Sequence, residues 1–440
     1  MSMNDTAMDI VNWLETAVDN TNWGYLIRER YSLTNMAWIS RYRTDCTTES
    51  AYAFLKAWKH TGDKKYLTLA RNLFNGICNL QHEDGSFPYH TGSSIAYTND
   101  NSEVAIFLLR MAEVDSENAS AYREKALDIT DWLVSIQKED GSWQRSTATL
   151  ESTACFTAHA ISAISMAYKF TNNREAYKTA VENGLAYIST KIRNDGMVTL
   201  MGGNEAQRPP SSDQSICVRS IAHAELYIDD LSNRATWIAK RKILTAWLEQ
   251  CITEEGAVKN GLGTGANGAD TVNVTDYVYT LPFAAEAFYY SSLVDGDIDL
   301  LKTAMKIVRF AQGNIYYSSI DNANGVLRGA FNITNRNWDT SDAVLDSGEQ
   351  GGGNMIYTGW TNAPMAAHFF CFSGAVDKGV TLSIKTDVKA ERFIPDDNGL
   401  MRICVDGKTV KFPLARYTDV SASAVKLFAN GEKQAFAHLS

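Results

Sequence analysis

The strongest constraint in this sequence is a repeated unit, an amphipathic helix that ends in an acidic-Gly turn followed by an aromatic or aliphatic residue. The two clearest copies end in QHEDGSF and QKEDGSW, and weaker copies end in RNDGMV, TEEGAV and NGVL. Successive turn glycines lie 56, 55, 60 and 69 residues apart, at Gly85, Gly141, Gly196, Gly256 and Gly325. A period of this length is typical of one helical hairpin with a long return loop.

A second kind of helix precedes each of these units and is apolar on more than one face. Its copies are SAYAFLKAWKH, SEVAIFLLRMAE, TACFTAHAISAISMAYKF, SICVRSIAHAELYI and VYTLPFAAEAFYYSSL. A helix that is apolar nearly all round is buried, so we expect these segments to form an inner ring and the amphipathic segments an outer ring. Short turns such as HTGDKK join inner to outer helices, and loops of about 15 to 25 residues return on one face.

The two ends of the chain complete the ring. AMDIVNWLETAV near the start indicates a lone outer helix, and MIYTGWTNAPMAAHFFCF from Met355 a lone inner helix. The predicted fold is therefore mainly α, an (α/α)6 toroid of six helical hairpins over residues 1–374, closed by pairing the N-terminal helix with the last inner helix. Residues 375–440 alternate in short runs, VTLSIKTDV, LMRICVDGKTVKFPL and AVKLFANGEKQAFA, which predicts a small antiparallel β-rich region.

Charge and composition limit the partners. The formal net charge of -10 opposes nucleic-acid or anionic-membrane binding, because both require an extended basic face. No stretch approaches the roughly 20 apolar residues of a membrane helix, so membrane insertion is not expected. Seven scattered cysteines without a CxxC pair, and a start that lacks a signal-peptide pattern, favour reduced thiols in a soluble, cytoplasmic protein, although a signal removed earlier would leave no trace.

The turn motifs also carry a family resemblance. QxxDGSW is similar to the QW motif of triterpene cyclases, and AWKHTGDKKYLTLARNLFNGICNLQ resembles hairpins of (α/α) polysaccharide lyases and glycoside hydrolases. The chain thus resembles the (α/α)6 toroid superfamily of terpenoid-cyclase and prenyltransferase-like toroids, in two repeats well and in three weakly. In these families the Gln and the aromatic residue tie an outer helix to its neighbour. The motif therefore implies an architecture and leaves the chemistry open.

Two branches of that superfamily need residues that this chain lacks at the expected places. A protonating triterpene cyclase carries DxDD on an inner wall, whereas Asp396-Asp397 lies in a predicted turn of the tail. A zinc prenyltransferase needs an Asp-x-Cys and a distant His, but Asp45 and Cys46 are adjacent. A terpenoid cyclase or prenyl-processing toroid remains one alternative, and it would require an aromatic cavity with few charges.

Polar residues crowd the predicted N-terminal turns of the inner helices, where free N–H groups favour anions and hydroxyls. Carboxylates, amides and aromatics mix there as in sugar sites, although the same residue types also cap helices. The convergence of six helix ends on one face is the reason to expect a site. In chain order these residues are Arg41, Arg43, Asp45, Glu49, Tyr97, Asn99, Asp100, Asn101, Glu151, Asp213, Asp276, Tyr277, Thr358, Trp360 and Asn362.

A helical toroid followed by a β tail is similar to several polysaccharide lyases. The resemblance implies a carbohydrate-active enzyme, a polysaccharide lyase or glycoside hydrolase, that binds an oligosaccharide or polysaccharide in the toroid cleft. A hydrolase would use two carboxylates about 6.5 to 9.5 Å apart for inversion, chosen among Glu49, Asp100, Glu151, Asp213 and Asp276. A lyase acting on uronic acids would use a base and a group that neutralises the substrate carboxylate, among Tyr97, Asn101, His159 and Arg43. Substrate-binding candidates are Arg41, Arg43, Asn101, Tyr277, Trp360 and Asn362.

No metal or cofactor is predicted. Cys155 and His159 share a helix face, which a buried core pair explains better than a metal site. GTGANG at residues 263–268 follows an outer helix instead of a strand, so dinucleotide binding is not expected. The glycine-rich DSGEQGGGN at residues 346–354 fits either a mobile lid or a solvent loop. A non-catalytic glycan-binding or scaffold protein is the remaining alternative.

Overall fold

The computed structural model describes residues 2–199, 208–338, 352–376, 390–396, 400–405 and 408–413. Residues 346–351 of the predicted lid lie outside the described residues, as do the tail runs VTLSIKTDV and AVKLFANGEKQAFA. The described residues form twelve α-helices: α1 (Met3–Thr16), α2 (Thr44–Thr61), α3 (Lys64–Cys78), α4 (Thr98–Val114), α5 (Ala119–Ser135), α6 (Ala154–Ala167), α7 (Arg174–Lys191), α8 (Pro210–Tyr227), α9 (Arg234–Glu249), α10 (Leu281–Asp295), α11 (Ile298–Gly313) and α12 (Ala363–Val376).

The even-numbered helices form the inner ring. Helices α2, α4, α6, α8 and α10 pack in succession, and α12 packs on α2. Each inner helix also packs on an outer one, in the pairs α2–α3, α4–α5, α6–α7, α8–α9, α10–α11 and α12–α1. The predicted closure of the ring by the first and last helices is therefore confirmed.

Burial follows the two sequence patterns. Inner helix α8 is buried at every position from Pro210 to Leu226, polar residues included. Outer helix α3 buries one stripe, which includes Tyr66, Ala70, Leu73 and Ile77, at the spacing of an amphipathic helix. The contrast between the two kinds of helix is what distinguishes the two layers in the sequence.

The turn glycines fix the spacing of the outer ring. All five have positive φ, from 71° at Gly325 to 98° at Gly256, a region that glycine adopts without steric cost. A Cβ atom on Gly85 would lie 2.6 Å from the Asp128 carbonyl oxygen of α5, and one on Gly325 would lie 2.9 Å from Asp9 Cβ of α1. Each acidic-Gly turn thus packs on the next outer helix, and the last of the five reaches the first helix.

The return loops carry short antiparallel sheets that the sequence analysis did not predict. The largest contains β1 (Val18–Thr21), β2 (Gly24–Ser32) and β3 (Ala37–Tyr42), and β2 also pairs with β9 (Met355–Tyr357). Two smaller sheets contain β4 (Gln144–Ser146) with β5 (Thr149–Ser152), and β6 (Val274–Asp276) with β7 (Ala330–Asn332) and β8 (Asn337–Trp338). The last two return loops, residues 250–280 and 314–362, are longer than expected.

The C-terminal strands form an antiparallel meander, as predicted. It consists of β10 (Ala390–Asp396), β11 (Leu400–Val405) and β12 (Lys408–Pro413), in that order. Residues 397–399 and 406–407, which make up most of the predicted turns at DDNG and VDGK, lie outside the described residues. The boundary between the toroid and this region at residues 374 and 375 stays a prediction.

Candidate active site

A cavity opens at the N-terminal ends of the inner helices, on the face that carries the long loops. Its empty volume is about 680 Å³, part of which is open to solvent. Charged and aromatic side chains dominate its lining. The lining residues are Glu29, Arg43, Tyr89, Tyr97, Asn99, Asp100, Arg145, Phe156, Arg208, Val278, Tyr279, Tyr357 and Trp360.

Arg43 lies between three carboxylates of this cavity. It is the residue before α2, and its backbone is extended. Its guanidinium donates two hydrogen bonds to Asp45, at 2.9 and 2.5 Å. The same Nη2 atom lies 3.1 Å from Asp100 Oδ1, and Nη1 lies 3.6 Å from Glu29 Oε1. One cation therefore bridges carboxylates from α2, α4 and β2.

Asp100 has the properties of a proton donor. It lies in the first turn of α4 and is buried, and its Oδ1 also accepts a hydrogen bond of 2.8 Å from the Asn99 amide. Burial raises its pKa well above the usual range, Arg43 opposes this, and the nearby Asp45 charge raises the pKa further. Burial therefore favours the protonated form of this carboxyl, which is the form that a general acid needs.

A second carboxylate layer lies behind the cavity wall. Glu49, in the second turn of α2, accepts a hydrogen bond from the backbone N–H of Trp360. The Trp360 indole Nε1 donates to Asp45 Oδ2 at 2.7 Å. Burial and the Asp45 charge raise the pKa of Glu49 well above its usual value. Glu49 itself does not line the cavity, so its predicted contact with substrate is not supported by its position.

Glu29 is the lining carboxylate that sequence analysis missed. It lies in β2 with 1% of its surface exposed, and Arg30, Arg43 and Arg41 surround it at 3.1, 3.6 and 3.7 Å. Its Oε2 atom is buried without a hydrogen-bond partner among the described residues. The strand-like run GYLIRERYS was the signal that could have indicated it, because that run places an ionisable side chain on a buried strand.

Aromatic rings and further arginines form the rest of the wall. The Arg43 guanidinium lies 4.4 Å from the Tyr89 ring centre, and Arg208 lies 4.9 Å from that of Tyr279. Arg145 lies 5.7 Å from the ring centre of Tyr97, the residue before α4. Rings of this kind stack on apolar faces of ligands, while guanidinium groups donate to hydroxyls and carboxylates.

Several expected positions on inner helices are wrong because those helices begin later than the sequence suggested. The last inner helix, predicted from Met355, begins at Ala363, so Thr358, Trp360 and Asn362 precede it. Glu151 is exposed in β5, since α6 begins at Ala154. Asp276 lies in β6, since α10 begins at Leu281, and its carboxylate accepts from the backbone of the following turn. Tyr277 is buried against Trp338 and Phe310. The side chain that reaches the cavity from this segment belongs to Tyr279.

Two predicted substrate-binding amides bind backbone instead. The Asn101 side chain accepts from Phe87 N at 2.7 Å and donates to Phe87 O at 3.0 Å. Asn362 makes the equivalent pair with Leu327, at 2.9 Å each. Both amides tie the residue after an acidic-Gly turn to an inner helix. Their polar atoms are therefore committed to the fold.

Three other candidates lie beside the cavity without lining it. His159 is buried one layer deeper, with Nδ1 2.7 Å from Glu103 Oε1, and burial lowers its pKa to about 4, so the ring is neutral. Asp213 is buried in the first turn of α8. Arg41 in β3 donates to the Tyr89 hydroxyl at 3.3 Å, near the rim. The predicted residues that the cavity brings together are Arg43, Tyr97, Asn99, Asp100 and Trp360.

The described residues contain no group of three or more His, Cys, Asp or Glu side chains placed to hold a metal ion. Across the same residues, none of the helices has both the length and the apolar character needed to cross a membrane.

Solved structures identify the fold. No family model matches this chain, and no curated protein sequence matches it. A sugar epimerase from a ruminal bacterium aligns with a TM-score of 0.62 at 11% identity, over 86% of this chain and 99% of that one. The GH76 α-mannanase of Bacteroides thetaiotaomicron gives 0.59 at 11% identity, over 84% and 95%.

A third match is UGL, an unsaturated glucuronyl hydrolase, in a structure with the saccharide dGlcA-Glc-Rha-Glc. It aligns with a TM-score of 0.60 at 14% identity, over 86% of this chain and 97% of that one. These likenesses show the (α/α)6 toroid fold that the sequence pattern predicted. At such low identity they show the fold alone.

Proposed function

We propose that this protein is a carbohydrate-active enzyme that binds an oligosaccharide or polysaccharide in the toroid cavity and hydrolyses a glycosidic bond. The observation that carries the proposal is the pair Asp100 and Glu29, two buried carboxyl groups that line one cavity and contact the two different Nη atoms of Arg43. Glycoside hydrolysis requires two carboxyl groups of opposite protonation state on either side of the bond.

Asp100 would act as the general acid. It transfers its proton to the glycosidic oxygen as the bond between that oxygen and the anomeric carbon breaks. Glu29, held near Arg30 and Arg43, would accept a proton from the water whose oxygen attacks the anomeric carbon. Solvent then reprotonates Asp100 and deprotonates Glu29. In a retaining variant of the same scheme, Glu29 attacks the anomeric carbon as the glycosidic bond breaks, and water deprotonated by Asp100 then hydrolyses the glycosyl ester on Glu29.

The wall of the cavity suits sugars better than terpenoids. Five charged side chains and six aromatic ones line it, so a sugar finds stacking surfaces and hydroxyl partners, whereas a terpenoid cavity would hold few charges. Among the structural neighbours, an α-1,6-mannanase of Salegentibacter sp. was solved with α-1,6-mannotriose, and UGL with dGlcA-Glc-Rha-Glc. Both ligands are oligosaccharides, which supports this substrate class for the present chain.

A second candidate reaction is β-elimination on a uronic-acid polymer. The specific observation in its favour is that Arg145, Arg208 and Tyr97 all line the cavity. The two arginines supply cations for a substrate carboxylate, and Tyr97 supplies a phenol in the same cavity. Epimerisation next to a carbonyl has less support, because no His or Lys side chain lines the described cavity to serve as a base near neutral pH.

Incubation with a panel of neutral and uronic-acid oligosaccharides tests the proposal. Wild-type protein and Asp100→Asn are compared, with new reducing ends and the ultraviolet absorbance of unsaturated products as readouts. New reducing ends without unsaturated product, lost in Asp100→Asn, support hydrolysis. Unsaturated product indicates elimination. Calorimetric binding without either product indicates a glycan-binding protein, and the absence of both cleavage and binding contradicts the sugar proposal.

A further inference from the structure

Trp360 has an unusual backbone conformation. Its φ of 58° and ψ of -28° place a bulky residue in the left-handed half of the backbone map, where glycine and asparagine are the common residues. The other described non-glycine residues with positive φ are Met36, Asn233 and Arg336, which are all exposed. Trp360 is 4% exposed, and it forms part of the cavity wall. Backbone strain held in place at such a site commonly marks a functional constraint.

The unusual conformation brings one residue against two buried carboxylates. The Trp360 backbone N–H donates to Glu49 Oε2, and its indole N–H donates to Asp45 Oδ2 at 2.7 Å. The preceding Gly359 allows this approach, because a Cβ atom there would lie 2.5 Å from Glu49 Oε2 and 2.6 Å from Cys46 Cα. The segment before α12 therefore lies directly on the first turns of α2.

Asp45 connects this arrangement to the cavity. Its carboxylate receives the indole N–H of Trp360 and two hydrogen bonds from Arg43, whose Nη2 atom also contacts Asp100. The Trp360 ring is fixed from other sides by Tyr279 and Phe283, at 6.1 and 5.8 Å between ring centres. Displacement of the indole would therefore shift Asp45, and with it the guanidinium that orients Asp100.

We propose that Trp360 is a positioning residue: its two N–H groups fix Glu49 and Asp45 on α2, and through Arg43 they set the orientation of Asp100 towards the cavity. The expected effect on catalysis rests on the proposed function, whereas the expected effect on the orientation of Asp100 does not.

Trp360→Phe tests the inference, because it keeps an aromatic ring and the backbone N–H and removes only the indole donor to Asp45. The charged and titratable groups that face Asp45, Glu49 and Asp100 are Arg43, Glu29, Glu103, Cys46 and Tyr89. Without the indole donor the Asp45 carboxylate is no longer held from that side, so the Arg43 guanidinium that it binds shifts relative to Asp100. Because that guanidinium acts on the pKa of Asp100, we expect the basic limb of the pH–rate profile to move.

With an oligosaccharide that the wild type cleaves, we expect kcat of Trp360→Phe to be lower by roughly ten- to a hundredfold, with little change in KM. This is the effect expected from the loss of one hydrogen bond to a charged group. Trp247→Phe, at a buried Trp of outer helix α9, is the matched control and should leave both values unchanged. A Trp360→Phe protein with wild-type kcat and an unmoved pH profile overturns the inference.

A second readout separates this inference from the proposed function. Protein labelled with ¹³C at aspartate carboxyl carbons is titrated by NMR, with Asp100→Asn and Asp45→Asn variants to assign the signals. We expect the Asp100 titration to shift in Trp360→Phe and to remain unchanged in Trp247→Phe, even if no glycan is cleaved. Unchanged titrations in Trp360→Phe overturn the inference. If the wild type cleaves no glycan but the titrations shift in Trp360→Phe, only the proposed function is contradicted.

Discussion

Asp100→Asn separates the catalytic proton from the fold. Asn has the shape of the protonated carboxyl, and it retains an oxygen that can accept from Arg43 Nη2, 3.1 Å from Asp100 Oδ1 in the wild type. The variant should therefore fold around the same cavity. It has no acidic proton to give to the leaving oxygen, and loss of a positioned general acid lowers kcat by roughly a hundred- to ten-thousandfold.

The stability of Asp100→Asn should not fall with its activity. The folded pKa of Asp100 lies above its unfolded value, so the contribution of this carboxyl to stability is complete below the unfolded pKa and is lost as pH rises through the folded one. Above the unfolded pKa the wild type therefore bears a free-energy cost that grows with pH until the folded pKa is passed. An amide does not titrate, so Asp100→Asn should be at least as resistant to urea as the wild type at pH 7.

The assay compares substrates that differ in their leaving group. A glycoside with an acidic leaving group such as a nitrophenol needs little protonation, so Asp100→Asn should lose much less activity on it than on the natural oligosaccharide. Equal losses on both substrates would refute the acid role. A variant that is less stable than the wild type at pH 7 would refute the reasoning about the raised pKa.

Three further predictions follow from contacts elsewhere. Glu29→Gln should abolish hydrolysis, because Glu29 lines the cavity, whereas Glu151→Gln, at an exposed strand position, should leave hydrolysis unchanged. Similar rates for the two variants in a reducing-end assay would contradict the role of Glu29 as base. Gly85→Ala should lower the free energy of unfolding by roughly 1 to 3 kcal/mol or more, because φ at Gly85 is 90° and a Cβ atom there would meet α5. Gly92 has a φ of 79° but open space around it, so Gly92→Ala should lower the free energy of unfolding by less. Urea denaturation measures both values, and equal decreases would argue against the packing role of Gly85. Burial raises the pKa of Glu103, but Arg219 and His159 together lower it to about 2. Its contribution to stability is therefore present above its ordinary pKa of 4.5 and is lost as pH falls towards 2. Urea midpoints at pH 5 and pH 3 should differ less in Glu103→Gln than in the wild type, and an equal difference would count against these ion pairs.

The toroid could be predicted from the sequence because its determinants are local and repeated. Each acidic-Gly turn occurs at the end of one amphipathic helix, and the contrast between α3 and α8 is visible within single segments. Closure followed from counting unpaired helices at both ends. The structure adds the physical reason, since Gly325 packs on Asp9 of α1 as Gly85 packs on α5.

The site could be predicted only where it lies at the start of a helix. Arg43, Tyr97 and Asp100 immediately precede or open inner helices, so their place at the cavity followed from the ring. Glu29 was missed because the strand-like run GYLIRERYS indicates a buried strand but not its place beside the cavity, which depends on pairing with β9, more than three hundred residues away in the chain. The placement of Asp276 was wrong because its strand and turn precede α10.

The two amides that bind backbone show a further limit of prediction from sequence. Asn101 and Asn362 have the residue type of sugar ligands, but the loops that follow the acidic-Gly turns occupy their hydrogen-bonding atoms. Whether a polar side chain serves the fold or a ligand depends on which backbone groups lie opposite it. Those groups belong to loops whose course depends on tertiary contacts.

The most direct test of the proposed site is a crystal structure of Asp100→Asn with an oligosaccharide that the wild type cleaves. The account predicts an intact ligand in the cavity, a sugar ring against Trp360, and a glycosidic oxygen within about 3 Å of the substituted side chain. A ligand bound outside this cavity, or bound there with its glycosidic oxygen out of reach of both position 100 and Glu29, would contradict it.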